Sequence, residues 1–143
     1  MKSYFYRNFW ARGDESNPGQ VHEGYVSNII DDWRWGMDFE IALVSNTYTP
    51  NLLTDTLAEI PIIAGTEKSI PNRGADFLND RIKLTADSVN WSALVETFKY
   101  AVVLLNDWGN LMPISLVDFE QDIIDGEFIL EWENGAVFTF GGD

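Results

Sequence analysis

The densest group of side chains that could do chemistry is an acidic run in the last third of the chain. Asp118, Glu120 and Asp122 alternate along it, and Asp125 and Glu127 follow. Carboxylates at alternate positions suit Ca²⁺, but the run lacks the glycine and glutamate spacing of an EF-hand. A glycosidase would need two carboxyls about 5–10 Å apart, one with its pKa raised by burial. The interpretation that we favour needs no ligand: a solvated strand edge whose charge discourages edge-to-edge association.

The other reactive residue types do not complete a catalytic constellation. The sequence contains no cysteine, so thiolate nucleophiles, disulfides and Cys-ligated metals are excluded. His22 is the single histidine, which rules out a multi-histidine zinc site, and we interpret it as a surface residue. Gly109 and Gly135 lie in turns and not in a glycine-rich phosphate loop. We therefore predict a protein that is not an enzyme and has no catalytic residue, cofactor or metal.

Tryptophan is frequent, and an exposed tryptophan on a β-sandwich can stack on a sugar ring. The chain has six tryptophans. Trp108 follows Asn106-Asp107 in a predicted turn, which makes it the candidate glycan contact. Trp33, Trp91 and Trp132 lie in patterned segments, and we expect them in the core, where such rings bury ~150–250 Å² each.

The N-terminal residues differ from the rest of the chain in charge and composition. The first twelve carry a charge of +3 and five aromatic side chains, and the polar stretch 13–20 that follows reads as a linker. We predict an N-terminal arm and linker over residues 1–24 and a body over residues 25–143. The arm either packs on its own body as an edge strand or binds a neighbouring subunit. We favour binding to a neighbouring subunit, because aromatic residues and arginine are enriched at interfaces. The candidate partner-binding residues are Tyr4, Phe5, Tyr6, Arg7, Phe9, Trp10 and Arg12.

Length and charge limit the class of protein. A chain of 143 residues, 45% hydrophobic and 22% charged, is long enough for one globular domain with a real core. The net charge is −14, all of it on residues 25–143, and no basic residue follows Lys99. Such a charge disfavours nucleic acid and anionic lipid as partners. No apolar run reaches the ~18 residues of a membrane span, and the N-terminus has no apolar stretch typical of a signal peptide.

Alternation of polar and apolar residues predicts strands through most of the body. The most apolar run, 98–105, is expected to be a central strand covered on both faces, with 114–119 as its hairpin partner and Ile114 and Leu116 on one face. Asn134-Gly135 predicts a hairpin between 128–132 and 136–140. Further strands are predicted at 38–44, 81–85, 60–64 and 89–91.

Two stretches have helical spacing, residues 25–35 and residues 50–60. Seven or eight strands with frequent turn signals and one or two short helices predict an all-β fold, an antiparallel β-sandwich or a jelly-roll-like fold. Strand periodicity predicts a core that includes Phe39, Ile41, Leu43, Tyr100, Val102, Leu104, Trp132 and Phe138.

Five segments, in order, resemble motifs of a family of small β-rich structural proteins of tailed bacteriophages. The first is Ile-Ala-Leu-Val-Ser-Asn-Thr-Tyr-Thr-Pro-Asn at 41–51, similar to a family strand of the type A-L-L-x-S-x-Y-T-P. The other four are at 84–91, 98–104, 113–119 and 126–132. The chain departs from the family pattern in its longer N-terminus and in a stretch, 62 to 72, that lacks the usual glycines.

The resemblance implies a β-rich fold and a structural role in the virion, which is assembled in the host cytoplasm, and it implies no catalytic residue. Combined with the charge, it predicts a decoration or cement protein on the outside of the head, because an inner location would face packaged DNA. The expected partners are the major capsid protein or neighbouring copies, in a multi-copy assembly. The alternative is a carbohydrate-binding module associated with a tail or head fibre.

Overall fold

The computed structural model describes residues 1–6, 32–34, 38–53, 57–79, 81–107, 109–124, 126–132 and 135–141. Of the described residues, 60% lie in strands and 7% in helix, which confirms the predicted all-β sandwich with little helix. The strands are β1 (Lys2–Phe5), β2 (Asp38–Ser45), β3 (Lys68–Ser69), β4 (Gly74–Phe77), β5 (Arg81–Thr85), β6 (Val89–Leu94), β7 (Phe98–Asp107), β8 (Asn110–Ile123), β9 (Gly126–Leu130) and β10 (Ala136–Gly141).

The largest sheet has five antiparallel strands in the order β1-β8-β7-β2-β3. β7 and β8 form a long hairpin, as predicted, and β7 also pairs with β2 along its length. Six of the eight residues at 98–105 are fully or almost fully excluded from solvent, Tyr100 is buried and Lys99 is half-buried. The prediction of a central strand covered on both faces is therefore confirmed.

Each face of the large sheet has its own core. The first core lies between this sheet and two smaller ones, β10-β5-β4 and β6-β9, and contains Trp33, Leu84 and Trp91. The second core covers the opposite face and includes Tyr6, Tyr48 and Ile60. All eight predicted core residues are buried. Tyr100, Val102 and Leu104 belong to the second core and the other five to the first.

The predicted hairpin at Asn134-Gly135 is wrong. β9 pairs with β6, and β10 pairs with β5, so the two strands belong to different sheets. Gly135 has the positive φ of 73° that the sequence anticipates, and its N–H donates to the carbonyl of Trp132 at 2.8 Å. Turn residues determine local backbone geometry, whereas the strand that each segment pairs with depends on contacts distant in sequence.

The predicted face of Ile114 is also wrong. The pairing of β7 with β8 shifts register between Val103 and Leu104, which lie opposite Ser115 and Pro113. This bulge turns Ile114 into the first core with Val117, while Leu116 lies in the second core. A single extra residue in one strand reverses the alternation, so residues beyond the bulge point to the opposite faces from those expected.

The remaining local predictions have mixed outcomes. Strands β2, β5 and β6 form where alternation predicts them, whereas 60–64 has one isolated bridge, from Ile62 to Val44. Residues 57–59 form a single 3₁₀ turn within the predicted helix 50–60. Residues 32–34 are helical, and the rest of the predicted helix 25–35 lies outside the described residues.

Candidate functional site

The first six residues belong to the body's own sheet. β1 pairs antiparallel with β8, with Lys2 opposite Asp118 and Phe5 opposite Ser115. The N–H of Tyr6 extends the contact by donating to the carbonyl of Ile114 at 2.8 Å. Of the two interpretations of the N-terminus, an edge strand on its own body is therefore the one that describes residues 1–6.

The predicted partner-binding residues have different environments. Tyr4 is 40% exposed and can reach a partner. Phe5 is half-buried, with its ring centroid 5.6 Å from that of Phe138. Tyr6 is completely buried, so its assignment to a partner contact is wrong. The other candidates, Arg7, Phe9, Trp10 and Arg12, lie outside the described residues, as does the predicted boundary between residues 24 and 25.

Tyr6 and Tyr48 form a buried hydroxyl pair that fastens β1 to the loop after β2. Their oxygens are 2.9 Å apart, and the Tyr48 oxygen also accepts the N–H of Asn51 at 3.3 Å. The Tyr48 ring meets Tyr100 edge to face at 5.8 Å. Burial, with the hydrogen bond to Tyr48 second, raises the pKa of Tyr6 far above its ordinary value. This buried hydrogen bond gives the tyrosine of the Tyr-Thr-Pro-Asn motif a structural role.

The acidic run begins at a kink that holds the N-terminus. Glu120 has a φ of 64°, and its N–H donates to Asp118 Oδ1 at 2.7 Å. Its carboxylate lies 3.0 Å from the amine of Met1 and 3.5 Å from Lys2 Nζ. The hydrogen bond from the N-terminal amine is the main reason why the pKa of Glu120 is lowered. Within the described residues, no three His, Cys, Asp or Glu side chains are grouped to hold a metal ion.

A cleft lies where β1 meets β5 and β10, and we call it the N-terminal cleft. Its volume is about 490 Å³. Two cationic side chains line it, Arg81 and Lys83, together with Met1. The lining also includes Ser3, Phe5, Trp132, Ala136, Val137, Phe138 and Thr139. Positive charge beside aromatic and aliphatic surface suits a segment that combines carboxylates with apolar side chains.

Strand alternation explains why two cations share this cleft. On β5, Leu84 is fully buried in the first core, so Arg81 and Lys83 point to the other side of the strand. Lys83 lies opposite Asp76 of β4 and Thr139 of β10 in the sheet. The sequence Arg-Ile-Lys-Leu-Thr carries this signal, but the location of the cleft depends on the packing of β1 and β10, which are distant in sequence.

The most exposed apolar side chains lie at one end of the molecule. Val95 is 85% exposed and Ile124 is 72% exposed. Their loops run side by side from the large sheet to the β6-β9 sheet, because Leu94 lies opposite Gly126 and Phe98 opposite Ile123. Exposed carboxylates flank both residues. We call Val95, Glu96, Asp122, Ile124 and Glu127 the acidic tip.

The predicted core tryptophans are confirmed. Trp33, Trp91 and Trp132 are buried, and their indole N–H groups donate to the carbonyls of Thr85, Thr66 and Asp87 at 3.1, 2.7 and 3.1 Å. These bonds satisfy the ring nitrogens and fix loops to the first core. Trp108, the candidate glycan contact, lies outside the described residues.

Comparison of the chain with protein-family models, curated proteins and solved structures finds no significant match. Among the described residues, no helix has the length and apolar character needed to cross a membrane.

Proposed function

We propose that this protein is a non-enzymatic structural component of a tailed-bacteriophage virion, where it decorates the outer surface of the head. The observation that carries the proposal is the position of the five motifs in the fold. Residues 41–51 span β2 and the Tyr48 loop, 98–104 and 113–119 form the central hairpin, and 84–91 and 126–132 contribute to the smaller sheets. The resemblance thus involves the framework of the sandwich and both of its cores.

The charge of the protein supports an outer location. The net charge is −14, and exposed acids lie on β8 at Glu120 and Asp122, on β9 at Glu127 and directly after β9 at Glu131. A protein repeated many times on the inner surface would repel packaged DNA, whereas an acidic outer layer stays soluble and resists aggregation.

The groups with shifted pKa values support a structural role. Tyr6 is sealed in the second core, and Glu120 holds the N-terminus. The pKa of Arg73 is lowered mainly by burial, and its guanidinium lies over the rings of Trp33 and Phe39 at 5.7 and 5.3 Å. Active sites usually combine such groups in one cleft, whereas these three lie apart and serve packing or anchoring.

A reconstitution experiment tests the proposal. Heads of the encoding phage, purified without this protein, are mixed with recombinant protein, and occupancy is measured by quantitative mass spectrometry. We expect saturation at a fixed copy number per head and no binding to isolated tails. Saturable binding to tails or fibres alone, or loss of glycan binding on Trp108→Ala, would favour the carbohydrate-binding alternative instead.

A further inference from the structure

We propose that copies of this protein associate head to tail, with the acidic tip of one copy inserted into the N-terminal cleft of the next. The partner is a second copy of this chain. The contact requires no other virion component, so it does not depend on the proposed function.

The cleft provides a receptor of unusual charge for this molecule. Residues 25–143 contain 6 basic against 20 acidic residues, yet Arg81 and Lys83 lie two positions apart on one strand and line one cavity. Asp76 lies beside Lys83 in the sheet, and Arg81 has a contact of its own, so both cations are partly compensated within the chain. Phe5 and Val137 supply apolar lining next to these charges. An acidic segment with exposed aliphatic side chains matches this surface.

The acidic tip has the complementary composition. Val95 and Ile124 project the most exposed aliphatic side chains among the described residues, and Glu96, Asp122 and Glu127 are exposed around them. The nearest cation in the sequence, Lys99, has its ammonium over the ring of Tyr100 at 5.7 Å. An apolar centre with a charged rim is the usual anatomy of a specific interface.

The contact uses two different surfaces, so it repeats from copy to copy. Each copy offers one tip and one cleft, and such heterologous contacts build rings or open arrays. Two loop ends in a cleft of about 490 Å³ bury little area, and the copies also repel each other through their net charge. We therefore expect weak association that becomes strong when many copies are held on one surface.

Sedimentation velocity over a range of protein concentrations measures self-association, and reversing the charge of Glu96 tests the contact. Glu96→Lys and the control double variant Asn110→Lys/Ser69→Lys each change the net charge from −14 to −12, and all three positions are exposed. General repulsion predicts that both variants associate more strongly than the wild type. A specific tip contact predicts that Glu96→Lys associates about tenfold more weakly, while the control does not weaken.

A compensating variant tests the cleft. Lys83→Glu should weaken association like Glu96→Lys, and the double variant Glu96→Lys/Lys83→Glu should restore it, because one charge is exchanged between the tip and the cleft. Circular dichroism checks that each variant is folded. If Lys83→Glu does not fold, Val95→Ser tests the apolar part of the tip, with Leu53→Ser as its control. Wild-type protein that stays monomeric throughout, equal effects of Glu96→Lys and its control, or absence of rescue in folded variants would overturn the proposal.

Discussion

Tyr6 is predicted from its residue type to bind a partner, but in the structure it stabilises the protein's own core. Its side chain is completely buried, and its hydroxyl lies 2.9 Å from that of Tyr48. Tyr6→Phe keeps the ring and removes one hydrogen bond, which should lower the free energy of unfolding by ~0.5–1.5 kcal/mol. Tyr6→Ala also leaves a cavity and should cost ~3–5 kcal/mol. Urea denaturation measures both, and equal stabilities of wild type and Tyr6→Ala would show that β1 does not contribute to the fold.

The same residue predicts a pH dependence. Burial raises the folded-state pKa of Tyr6 above its ordinary value of 10.0, so the folded protein retains the proton that the unfolded chain releases. The stability from this group is complete below the ordinary pKa and falls as pH rises through and beyond it. Wild-type protein should therefore lose more stability than Tyr6→Phe between neutral and strongly alkaline pH. Parallel losses in denaturation curves recorded at several pH values would contradict this.

Leu104 tests the second core at the level of a single side chain. It is fully excluded from solvent on β7, and Leu104→Ala should lower the free energy of unfolding by ~2–5 kcal/mol. Leu53→Ala is the matched control, because Leu53 is 62% exposed and its truncation should change stability little. Similar values for the two variants in urea denaturation would mean that Leu104 is not packed in the second core.

Strands that pair with a neighbour in sequence can be predicted, whereas strands that pair with a distant segment cannot. The β7-β8 hairpin follows from two adjacent apolar runs, and both faces of β7 are buried as expected. The pairing of β9 with β6 and of β10 with β5 connects distant segments, and no pattern within a single strand specifies such partners. β3 has two residues and β4 begins at Gly74, so neither contains enough alternation to predict a strand.

The candidate site, like the sheets, depends on contacts between segments that are distant in sequence. The sequence shows the cations of β5 and the acids after Lys99, but the cleft exists only because β1 packs beside β10. Val95 and Ile124 are exposed because two loops pass side by side between sheets, which their aliphatic character does not predict. Residue type is thus predictable from the sequence, whereas placement at a site depends on long-range pairing.

β1 is the element whose attachment can be tested most directly. The carboxylate of Glu120 accepts a hydrogen bond from the N-terminal amine, and this contact lowers the pKa of Glu120 below its ordinary value of 4.5. The anchoring is present above that value and is lost as pH falls through the lowered folded-state pKa. At neutral pH, Glu120→Gln should accelerate hydrogen exchange in β1 without affecting β7. Unchanged exchange at residues 2–5 would show that the ion pair does not hold the strand.

At the scale of the whole molecule, the proposed role accounts for charge and architecture together. The sandwich has a core on each face of its large sheet, its net charge is −14, and the proposed contact joins the acidic tip to the N-terminal cleft. A repeated component on the outside of a particle needs this combination of stability, solubility and contact.

The position of the protein in an intact particle tests the central claim most directly. Cryo-electron microscopy would compare purified virions of the phage proposed as the source of this protein with particles that lack the gene. The proposal predicts additional density at regular positions on the outer head surface, into which the described part of the sandwich fits. Density on the inner surface of the shell or confined to the tail, or no difference between the two particles, would contradict it.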